Sequence, residues 1–396
     1  MIHLRLLPLA AASVFVAGCS SSDADSPPAS VQCSSATRAS DTNAAKSALA
    51  SAGSGSCVVL TGNAYDGPFT VPAGVTITAA SGARTMIRGG SPTEPAILLG
   101  EGSGIANVDV KDSAGVAIGV RGSKAKLSNV TVSGAKKVAF AVACTGEACG
   151  SGLVEVVDST FENSNVGVLV AGAHVLLKGG KSSGHASQSL SSAMGVVAQG
   201  GAHLELDGFT VDKNQGPGVV IDGATTTALI KGSTISENGE RGVWIQRVSG
   251  SLDAPAVKIE ASTLVKNKIV GLGSVEARGI IVVGGRIADT IAAPVVTTLD
   301  KPAEIGDGFG FFDKSSDLKI DGTVIEANMR AAGVIDGSDR GIIVVGGKIG
   351  AGASGLKVVV QNTTGGEVTV PDADKSAPSS PLGIAAPRLT LPPIGL

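Results

Sequence analysis

Aromatic residues are scarce in this sequence, since Phe, Trp and Tyr make up only 3% of it and there is a single Trp. Pockets that process sugars are usually lined by several aromatic side chains, so the scarcity argues against a typical sugar-processing cleft. Glycine is abundant instead, at 56 of 396 residues, which is about twice its usual share. The two features predict many tight turns around a core of small aliphatic side chains.

An excess of basic charge is also missing, because 31 Lys and Arg residues face 34 Asp and Glu residues, for a net charge of −3. A nucleic-acid partner needs a basic surface, so no nucleic acid is expected to bind. Beyond the N-terminal apolar run, no segment stays apolar over the roughly 20 residues that a transmembrane helix needs. A membrane-spanning helix is therefore not expected either.

The N-terminus has the parts of a secretory signal peptide. Arg5 precedes an apolar run over residues 6–16, and Val16-Ala17-Gly18-Cys19 follows directly. The run is too short to span a bilayer as a permanent helix. Residues 1–18 are therefore predicted to be a signal peptide.

The ending Val-Ala-Gly-Cys resembles the lipobox of bacterial lipoproteins, in which the cysteine is lipidated and cleavage makes it the new N-terminus. The resemblance implies that Cys19 carries a membrane anchor and that residues 19–40 form a flexible polar tether. Ser20, rather than an acidic residue, follows the cysteine, which by resemblance favours the outer membrane, facing the periplasm or the surface. An ordinary cleaved signal peptide is the alternative.

Export to an oxidising compartment predicts that the four remaining cysteines form pairs. Cys144 and Cys149 are close enough in sequence to form a local loop staple. Cys33 and Cys57 then tie the N-terminal segment to the first strand. Zinc binding is the alternative, but the spacing fits zinc poorly and no histidine lies nearby in the sequence, so no metal site is expected.

An internal repeat is visible when LELDGFTVDKNQGPGVVI from Leu204 is aligned with ALIKGSTISENGERGVWI from Ala228. Each copy reads as a short alternating strand, a small turn, a second strand, an Asn, and then Gly with aliphatic residues. The Gly marks fall at Gly167, Gly195, Gly218, Gly242 and Gly271. These steps are shorter than a βαβ unit, which needs about 30 residues or more, and suit one turn of a coil.

An Asn recurs four or five residues before the Gly of each repeat. The column consists of Asn163, Asn214, Asn238, Asn267 and Asn328. Asn tolerates the left-handed conformation of a sharp turn, and its amide can donate to one neighbour while accepting from another. A structural ladder of stacked amides inside the turn is therefore predicted. A polar binding track is the alternative.

The segment from Ala44 to Ala79 reads as a short helix, a strand, a turn and a second strand. It resembles the opening of pectin-lyase-like right-handed β-helices, in which a helix caps the first coil. The resemblance implies an all-β fold, a right-handed parallel β-helix solenoid with a short N-terminal capping helix, over residues 41–369. Residues 370–396 are rich in Pro, which cannot donate to the strand ladder, and are predicted to form a tail.

The resemblance raises the possibility of a polysaccharide lyase or hydrolase, because such enzymes share this fold class. The hydrolase pattern has an adjacent Asp-Asp pair and a His-Gly element, and this sequence contains neither. The patterns of pectate lyases and of alginate epimerases are also not found. These absences favour a non-catalytic protein without excluding an enzyme, since a fold does not fix a function.

If a site exists, it is expected where charged residues align across neighbouring repeats. The candidate catalytic residues are Asp212, Glu237, Glu240 and Arg241. The candidate binding residues are Trp244, Arg247, Lys266 and Lys268. Stacked carboxylates beside an arginine can bind calcium or a uronate, so calcium is expected only for a lyase, and no other cofactor is implied. The alternative is a solvated turn surface with Trp244 packed against its own coil.

Two functions therefore stay open. The first is a non-catalytic surface protein with a structural or adhesive role, whose β-helix binds a glycan or an envelope protein. The second is a carbohydrate-active enzyme, a lyase or hydrolase of an acidic polysaccharide. A cleft with converging carboxylates and a base would distinguish the second from the first.

Overall fold

The computed structural model describes residues 31–144, 152–187, 193–296, 302–338, 340–363, 367–384 and 388–393. The predicted signal peptide, the predicted lipidation site Cys19 and the predicted disulfide partner Cys149 lie outside the described residues. Within the described residues, the strands form three long sheets, named A, B and C below. A search of these ranges for membrane-spanning helices finds none.

The strand bounds follow the three sheets. Sheet A contains β1 (Ser35–Ala39), β2 (Ser56–Leu60), β5 (Thr76–Ala79), β8 (Gly104–Ala106), β11 (Lys126–Ser128), β14 (Leu153–Val157), β17 (His174–Lys178), β20 (His203–Asp207), β23 (Thr227–Lys231), β26 (Val257–Glu260), β29 (Arg278–Val283), β33 (Ser316–Asp321), β36 (Ile342–Val345) and β39 (Val368–Thr369). Sheet B contains β3 (Ala64–Asp66), β6 (Thr85–Arg88), β9 (Val108–Lys111), β12 (Thr131–Ser133), β15 (Thr160–Glu162), β18 (Lys181–Ser183), β21 (Thr210–Asp212), β24 (Thr234–Ser236), β27 (Thr263–Val265), β30 (Arg286–Ala288), β34 (Val324–Glu326) and β37 (Lys348–Ile349). Sheet C contains β4 (Phe69–Val71), β7 (Ile97–Leu99), β10 (Ile118–Val120), β13 (Val138–Ala143), β16 (Val166–Ala171), β19 (Val196–Gln199), β22 (Val219–Asp222), β25 (Val243–Gln246), β28 (Ile269–Val275), β32 (Pro302–Phe312), β35 (Ala331–Asp336), β38 (Leu356–Gln361) and β40 (Lys375–Ser376), with β31 (Ala293–Val296) antiparallel to β32.

Each coil places one strand in each sheet before the chain returns to the first. After β20 in sheet A come β21 in sheet B and β22 in sheet C, and β23 then lies parallel to β20. The register pairs Leu204 with Ala228, one coil apart. The predicted fold class, a right-handed parallel β-helix, is confirmed.

Alternating apolar residues explain why these strands close around one core. Successive strand side chains point to opposite faces, so the apolar positions of each strand share the inner face. Val175, Leu204 and Ile230 are at most 1% exposed and belong to one continuous core cluster. The residues between them are half-buried on the outer face. The continuous core is possible because stacked coils bury together what one coil could not bury alone.

The predicted capping helix is present as α1 (Thr42–Ser51). Asp41 is its N-cap, and the Asp41 side chain accepts a hydrogen bond from the Ala44 backbone N–H at 2.9 Å. Ala45 and Leu49 are buried and join the same core cluster as the strands. The helix therefore closes the N-terminal end of the core.

The ordered fold begins earlier than the sequence indicated. Residues Ser35–Ala39, assigned above to the flexible tether, form β1, which pairs in parallel with β2.

The predicted disulfide between Cys33 and Cys57 is confirmed, with the two Cα atoms 5.6 Å apart. Cys144 is disulfide-bonded as well. Its pairing with Cys149 remains a prediction.

Candidate functional site

A ladder of buried amides runs along the turn that joins sheets B and C. The Asn214 side-chain Nδ2 donates to Asn238 Oδ1 at 2.9 Å, and Asn238 Nδ2 donates to Asn267 Oδ1 at 2.8 Å. Each of these oxygens also accepts the backbone N–H of the preceding ladder residue, at 3.2 Å. All three side chains are at most 1% exposed. The ladder therefore satisfies the polar groups of the turn inside the protein, where no ligand reaches it.

The first position of the ladder differs from the prediction. Asn163 is exposed, with φ of 53°, and the next residue, Ser164, takes the inward position. Ser164 donates its backbone N–H to His185 Nδ1 at 3.2 Å, and His185 in turn donates its backbone N–H to Asn214 Oδ1 at 3.1 Å. His185 is thus a ladder member that the repeat pattern missed, because it replaces the Asn.

The left-handed backbone conformation in this turn is also adopted one residue earlier than expected, by the residue before each Asn rather than by the Asn itself. Lys213, Glu237 and Lys266 have φ between 56° and 57°, and each precedes a ladder Asn. At the far end of the ladder, Asn328 Oδ1 accepts the backbone N–H of Thr290 at 3.1 Å. The sharp bend is therefore made by the exposed residue, and the buried Asn supplies only the hydrogen bonds.

The four candidate catalytic residues do not share one environment. Asp212 lies in β21 of sheet B, 3.7 Å from the ammonium of Lys213, and among the described residues its Oδ1 is buried without a hydrogen-bond partner. Glu237 is an exposed turn residue. Glu240 and Arg241 lie at the entrance to β25 in sheet C, with Arg241 Nη1 3.0 Å from Glu240 Oε2.

Arg241 is packed rather than presented to solvent. Its guanidinium lies 4.3 Å from the centroid of the Trp244 ring, a cation–π contact, and the residue is 3% exposed. Burial lowers the pKa of Arg241 and raises the pKa of Glu240, while their mutual attraction opposes both shifts. The pair is therefore held as a buried, mutually compensated unit.

Trp244, the candidate sugar platform, is fully buried on the outer face of sheet C. Its ring lies over Gly273 of the next strand, where an added Cβ would come within 2.3 Å of the indole. Its Nε1 donates to Gln246 Oε1 at 3.1 Å, and its ring centroid lies 6.3 Å from that of Phe312. A glycine is therefore required beneath the indole, and the surface that Trp244 offers is already covered.

The cover is the C-terminal tail. Residues 382–384 and 388–393 run along the outside of sheet C, back from β38 towards β19. The apolar side chains that pack on the outer cluster around Trp244 are Leu382, Ile384, Leu389 and Leu391. The tail also forms hydrogen bonds to the side chains of Gln361, Gln246 and Gln199, which lie in one in-register row of the sheet. We call this row and its apolar surroundings the outer groove.

Ion pairs line the same groove. Arg247, a candidate binding residue, forms a bidentate pair with the carboxylate of Asp222. Arg330 forms a second bidentate pair with the fully buried Asp307, whose pKa is raised by burial and lowered by the arginine. Arg330 Nη1 also donates to the carbonyl of Gly383 in the tail, at 2.7 Å. The charges of Asp222 and Asp307 are therefore each neutralised by an arginine within the protein.

Of the candidate binding residues, Lys266 and Lys268 are exposed, on the turn that precedes β28.

The structure also brings together three residues that were not among the candidates, namely His174, His203 and Glu205 on the outer face of sheet A. Burial and the neighbouring His174 lower the pKa of His203, and Glu205 opposes this shift. Both histidines open a strand at the same register position, which is the signal that could have revealed them.

Residues 95–287 match the family model described as the right handed beta helix region. The chain has the right-handed parallel β-helix fold. None of the curated protein sequences matches it. The fold assignment therefore rests on the family model and on the three parallel sheets.

Solved structures with the same fold include two modules from Azotobacter vinelandii. The A-module of mannuronan C-5 epimerase AlgE4 has a TM-score of 0.57 and 12% identity, covering 84% of this β-helix chain and 96% of that chain. The A-module of AlgE6 has a TM-score of 0.57 and 14% identity, with the same coverage of 84% and 96%. A mutant of the periplasmic alginate epimerase AlgG has a TM-score of 0.51 and 12% identity, covering 78% and 76%. At these identities the likeness shows the fold alone.

Proposed function

We propose that this chain is a non-catalytic lipoprotein of the bacterial cell envelope, whose β-helix binds an acidic glycan or an envelope protein. The observation that carries the proposal is that three of the candidate residues, Arg241, Trp244 and Arg247, are engaged in contacts within the protein. Arg241 is stacked on Trp244, Trp244 lies beneath the C-terminal tail, and Arg247 is paired with Asp222. Charge stabilisation by an arginine and stacking of a sugar on an indole both require direct contact with the substrate, and these three side chains are committed to contacts within the protein instead.

The exposed turn between sheets B and C is the binding surface that we favour. Lys266 and Lys268 are exposed there, and Lys213 occupies the equivalent turn two coils earlier, with a side chain that is 62% exposed. Flexible ammonium groups two coils apart, at a separation of roughly 10 Å, suit spaced carboxylates of an acidic polymer, because adjacent strands in such a sheet are spaced about 4.8 Å apart. The name of the structurally similar periplasmic alginate epimerase makes alginate the first polymer to test.

The envelope location is supported by two features of the N-terminal region. Cys19 in its Val-Ala-Gly-Cys setting would carry the lipid. The disulfide between Cys33 and Cys57 suits an oxidising compartment, since disulfides persist outside the cytosol. A short tether after Cys19 would then hold the β-helix close to the membrane, on its periplasmic or its outer side.

An enzyme acting on an acidic polysaccharide is the second candidate. It is favoured by the partly buried carboxylates of Asp212 and Glu240, of which Asp212 has an oxygen without a hydrogen-bond partner among the described residues. Under this alternative Asp212, Glu237, Glu240 and Arg241 would supply the acid, the base and the charge stabilisation. Calcium could then bridge the carboxylates to a uronate.

Binding and turnover are measured on the same preparation. Full-length protein is tested for binding to alginate, pectate and glycosaminoglycans, beside the double variant Lys266→Glu/Lys268→Glu and the matched control Lys348→Glu. The same mixtures, with and without calcium, are followed for unsaturated uronates by ultraviolet absorbance, for new reducing ends, and for inversion at C5 by NMR. Binding that is lost only in the double variant, without any turnover, supports the proposal. Turnover that disappears in Arg241→Ala or Glu237→Gln would replace it with the enzyme.

A further inference from the structure

Two histidines and a glutamate meet on the outer face of sheet A because of strand register. His174 opens β17 and lies directly opposite His203, which opens β20. Glu205 is two residues beyond His203, so its side chain points to the same face. Leu204, between them, is buried in the core and fixes this orientation. The three side chains therefore start from positions set by the backbone of adjacent strands.

The ligand atoms converge on one point. His174 Nε2 lies 2.7 Å from Glu205 Oε1, and His203 Nε2 lies 3.3 Å from the same oxygen. One nitrogen from each imidazole and one carboxylate oxygen all lie within 4.8 Å of one another. Ligands bound to one zinc ion are about 2 Å from it and therefore no more than about 4 Å from each other. Small side-chain rotations suffice to place all three around one cation.

The surroundings orient the ligands towards that point. His203 Nδ1 lies 2.6 Å from Thr227 Oγ1 on the next strand. When this nitrogen donates to the hydroxyl, the lone pair of Nε2 faces Glu205 and His174. Such a second contact to the distal imidazole nitrogen fixes the ring and its tautomer in metal sites. Glu205 itself is flanked on the same face by Leu176 and Leu229, which reduce its contact with water.

We propose that His174, His203 and Glu205 form a binding site for one divalent transition-metal ion, with Zn²⁺ as the best fit. Two imidazoles and one carboxylate are ligands that Zn²⁺ prefers, whereas Ca²⁺ and Mg²⁺ prefer oxygen ligands alone. Three protein ligands leave the fourth tetrahedral position of the ion to water or to an external anion. The side chains of His174, His203 and Glu205 are 31%, 43% and 29% exposed, so an ion reaches them from solvent.

Calorimetric titration tests the site in the full-length protein, purified without a polyhistidine tag and stripped of metal with EDTA. Zn²⁺ is expected to bind once per chain, and excess Ca²⁺ is not expected to compete. The affinity should fall at least tenfold in His203→Ala and in Glu205→Gln. Thr227→Val should weaken binding by about tenfold, as the loss of an orienting contact does in other metal sites. Co²⁺ should give visible d–d bands that His203→Ala removes.

The matched control is Glu155→Gln. Glu155 lies on the same face and in the same register row as Glu205, separated from it by Leu176, and its carboxylate lies 3.9 Å from the ammonium of Lys126. Its substitution should leave Zn²⁺ affinity unchanged, and melting temperatures should show that every variant is folded. The proposal is overturned if the wild type binds no Zn²⁺ stoichiometrically. It is equally overturned if Glu155→Gln weakens binding as much as Glu205→Gln does.

Discussion

Gln246 holds both backbone polar groups of Leu389, a residue 143 positions away. Its Nε2 donates to the Leu389 carbonyl at 3.1 Å, and its Oε1 accepts the Leu389 N–H at 2.9 Å. Gln361 holds Leu382 in the same manner, with both distances at 2.8 Å. A side-chain amide can make this double contact because it carries a donor and an acceptor side by side. The outer groove therefore binds its own chain terminus through backbone groups, much as a sheet edge would.

The docked tail should determine the environment of Trp244, which is the only tryptophan and thus a clean fluorescence probe. Removing residues 382–396 uncovers the apolar cluster around its indole. We expect the emission to shift to longer wavelength and quenching by acrylamide to increase. A shorter truncation that removes only residues 394–396 keeps Leu389 and Leu391 and should leave the emission unchanged. Identical spectra for both truncations would mean that the tail does not cover Trp244 in solution.

The membrane anchor is tested by Cys19→Ser. The variant has no thiol to lipidate, so we expect the protein to move from the membrane fraction to the soluble periplasm or the medium. Cys57→Ser serves as the control, because it removes a cysteine without affecting the anchor and should leave the fractionation unchanged. Fractionation of Cys19→Ser with the membrane would show that Cys19 is not the anchor.

Local repetition made the fold predictable from the sequence. Each coil carries the same short strands and turns, so the spacing of Gly218 and Gly242 was enough to predict the coil. The alignment of Asn238 with Asn267 in the repeat predicted that these two side chains lie within hydrogen-bond reach of each other. The error at Asn163 has a simple cause. That repeat is shifted by one residue, and the left-handed position of the turn accepts an Asn as readily as the ladder position does.

The candidate site was less predictable from the sequence, because it depends on contacts that do not recur from one repeat to the next. Nothing local to Gln246 indicates that its amide binds Leu389. Similarly, the sequence places Arg241 in a turn and Trp244 in a strand, where both side chains are expected to be accessible. Only the position of the tail shows that the indole is covered. His174 and His203 lie at matched positions, but their relation requires the exact register of two strands.

The amide ladder should contribute directly to stability. Asn238→Ala or Asn267→Ala removes a buried partner and leaves turn groups unpaired, which we expect to lower the free energy of unfolding by about 1–3 kcal/mol in each case. The double variant should lose less than the sum, because the two side chains share hydrogen bonds. Asn163→Asp is the control, since Asn163 is exposed and Asp also tolerates its backbone conformation, and it should change stability by no more than about 0.5 kcal/mol. Denaturant unfolding of the four variants and the wild type measures these differences.

His185 should make stability depend on pH. Burial lowers its pKa from 6.5 to about 4, with Asp212 opposing the shift. Its Nδ1 accepts the Ser164 N–H, and its Nε2 donates to Ser182 Oγ, which itself donates to the Gly195 carbonyl. A second proton would therefore have to sit on Nδ1, facing another donor. The neutral form is the one that fits the ladder.

The sign of the effect follows from proton binding. Above pH 6.5 the histidine is neutral in both the folded and the unfolded chain, so it adds no pH dependence. Between pH 6.5 and about 4 the unfolded chain binds a proton that the folded protein does not, so stability falls as the pH falls. At pH values below about 4, the loss in free energy of unfolding that is attributable to His185 should reach about 3 kcal/mol, because one pKa unit corresponds to about 1.36 kcal/mol.

The variant His185→Asn isolates this contribution. An Asn at this position repeats the residue type of Asn214 in the next coil, and it does not titrate, so the ladder can be kept without the ionisable group. Urea unfolding of wild type and variant between pH 4 and pH 7 should give a shallower pH dependence for the variant, because the carboxylates contribute equally to both proteins. Parallel curves for the two proteins across this range would show that His185 binds its proton in the folded state as easily as in the unfolded chain.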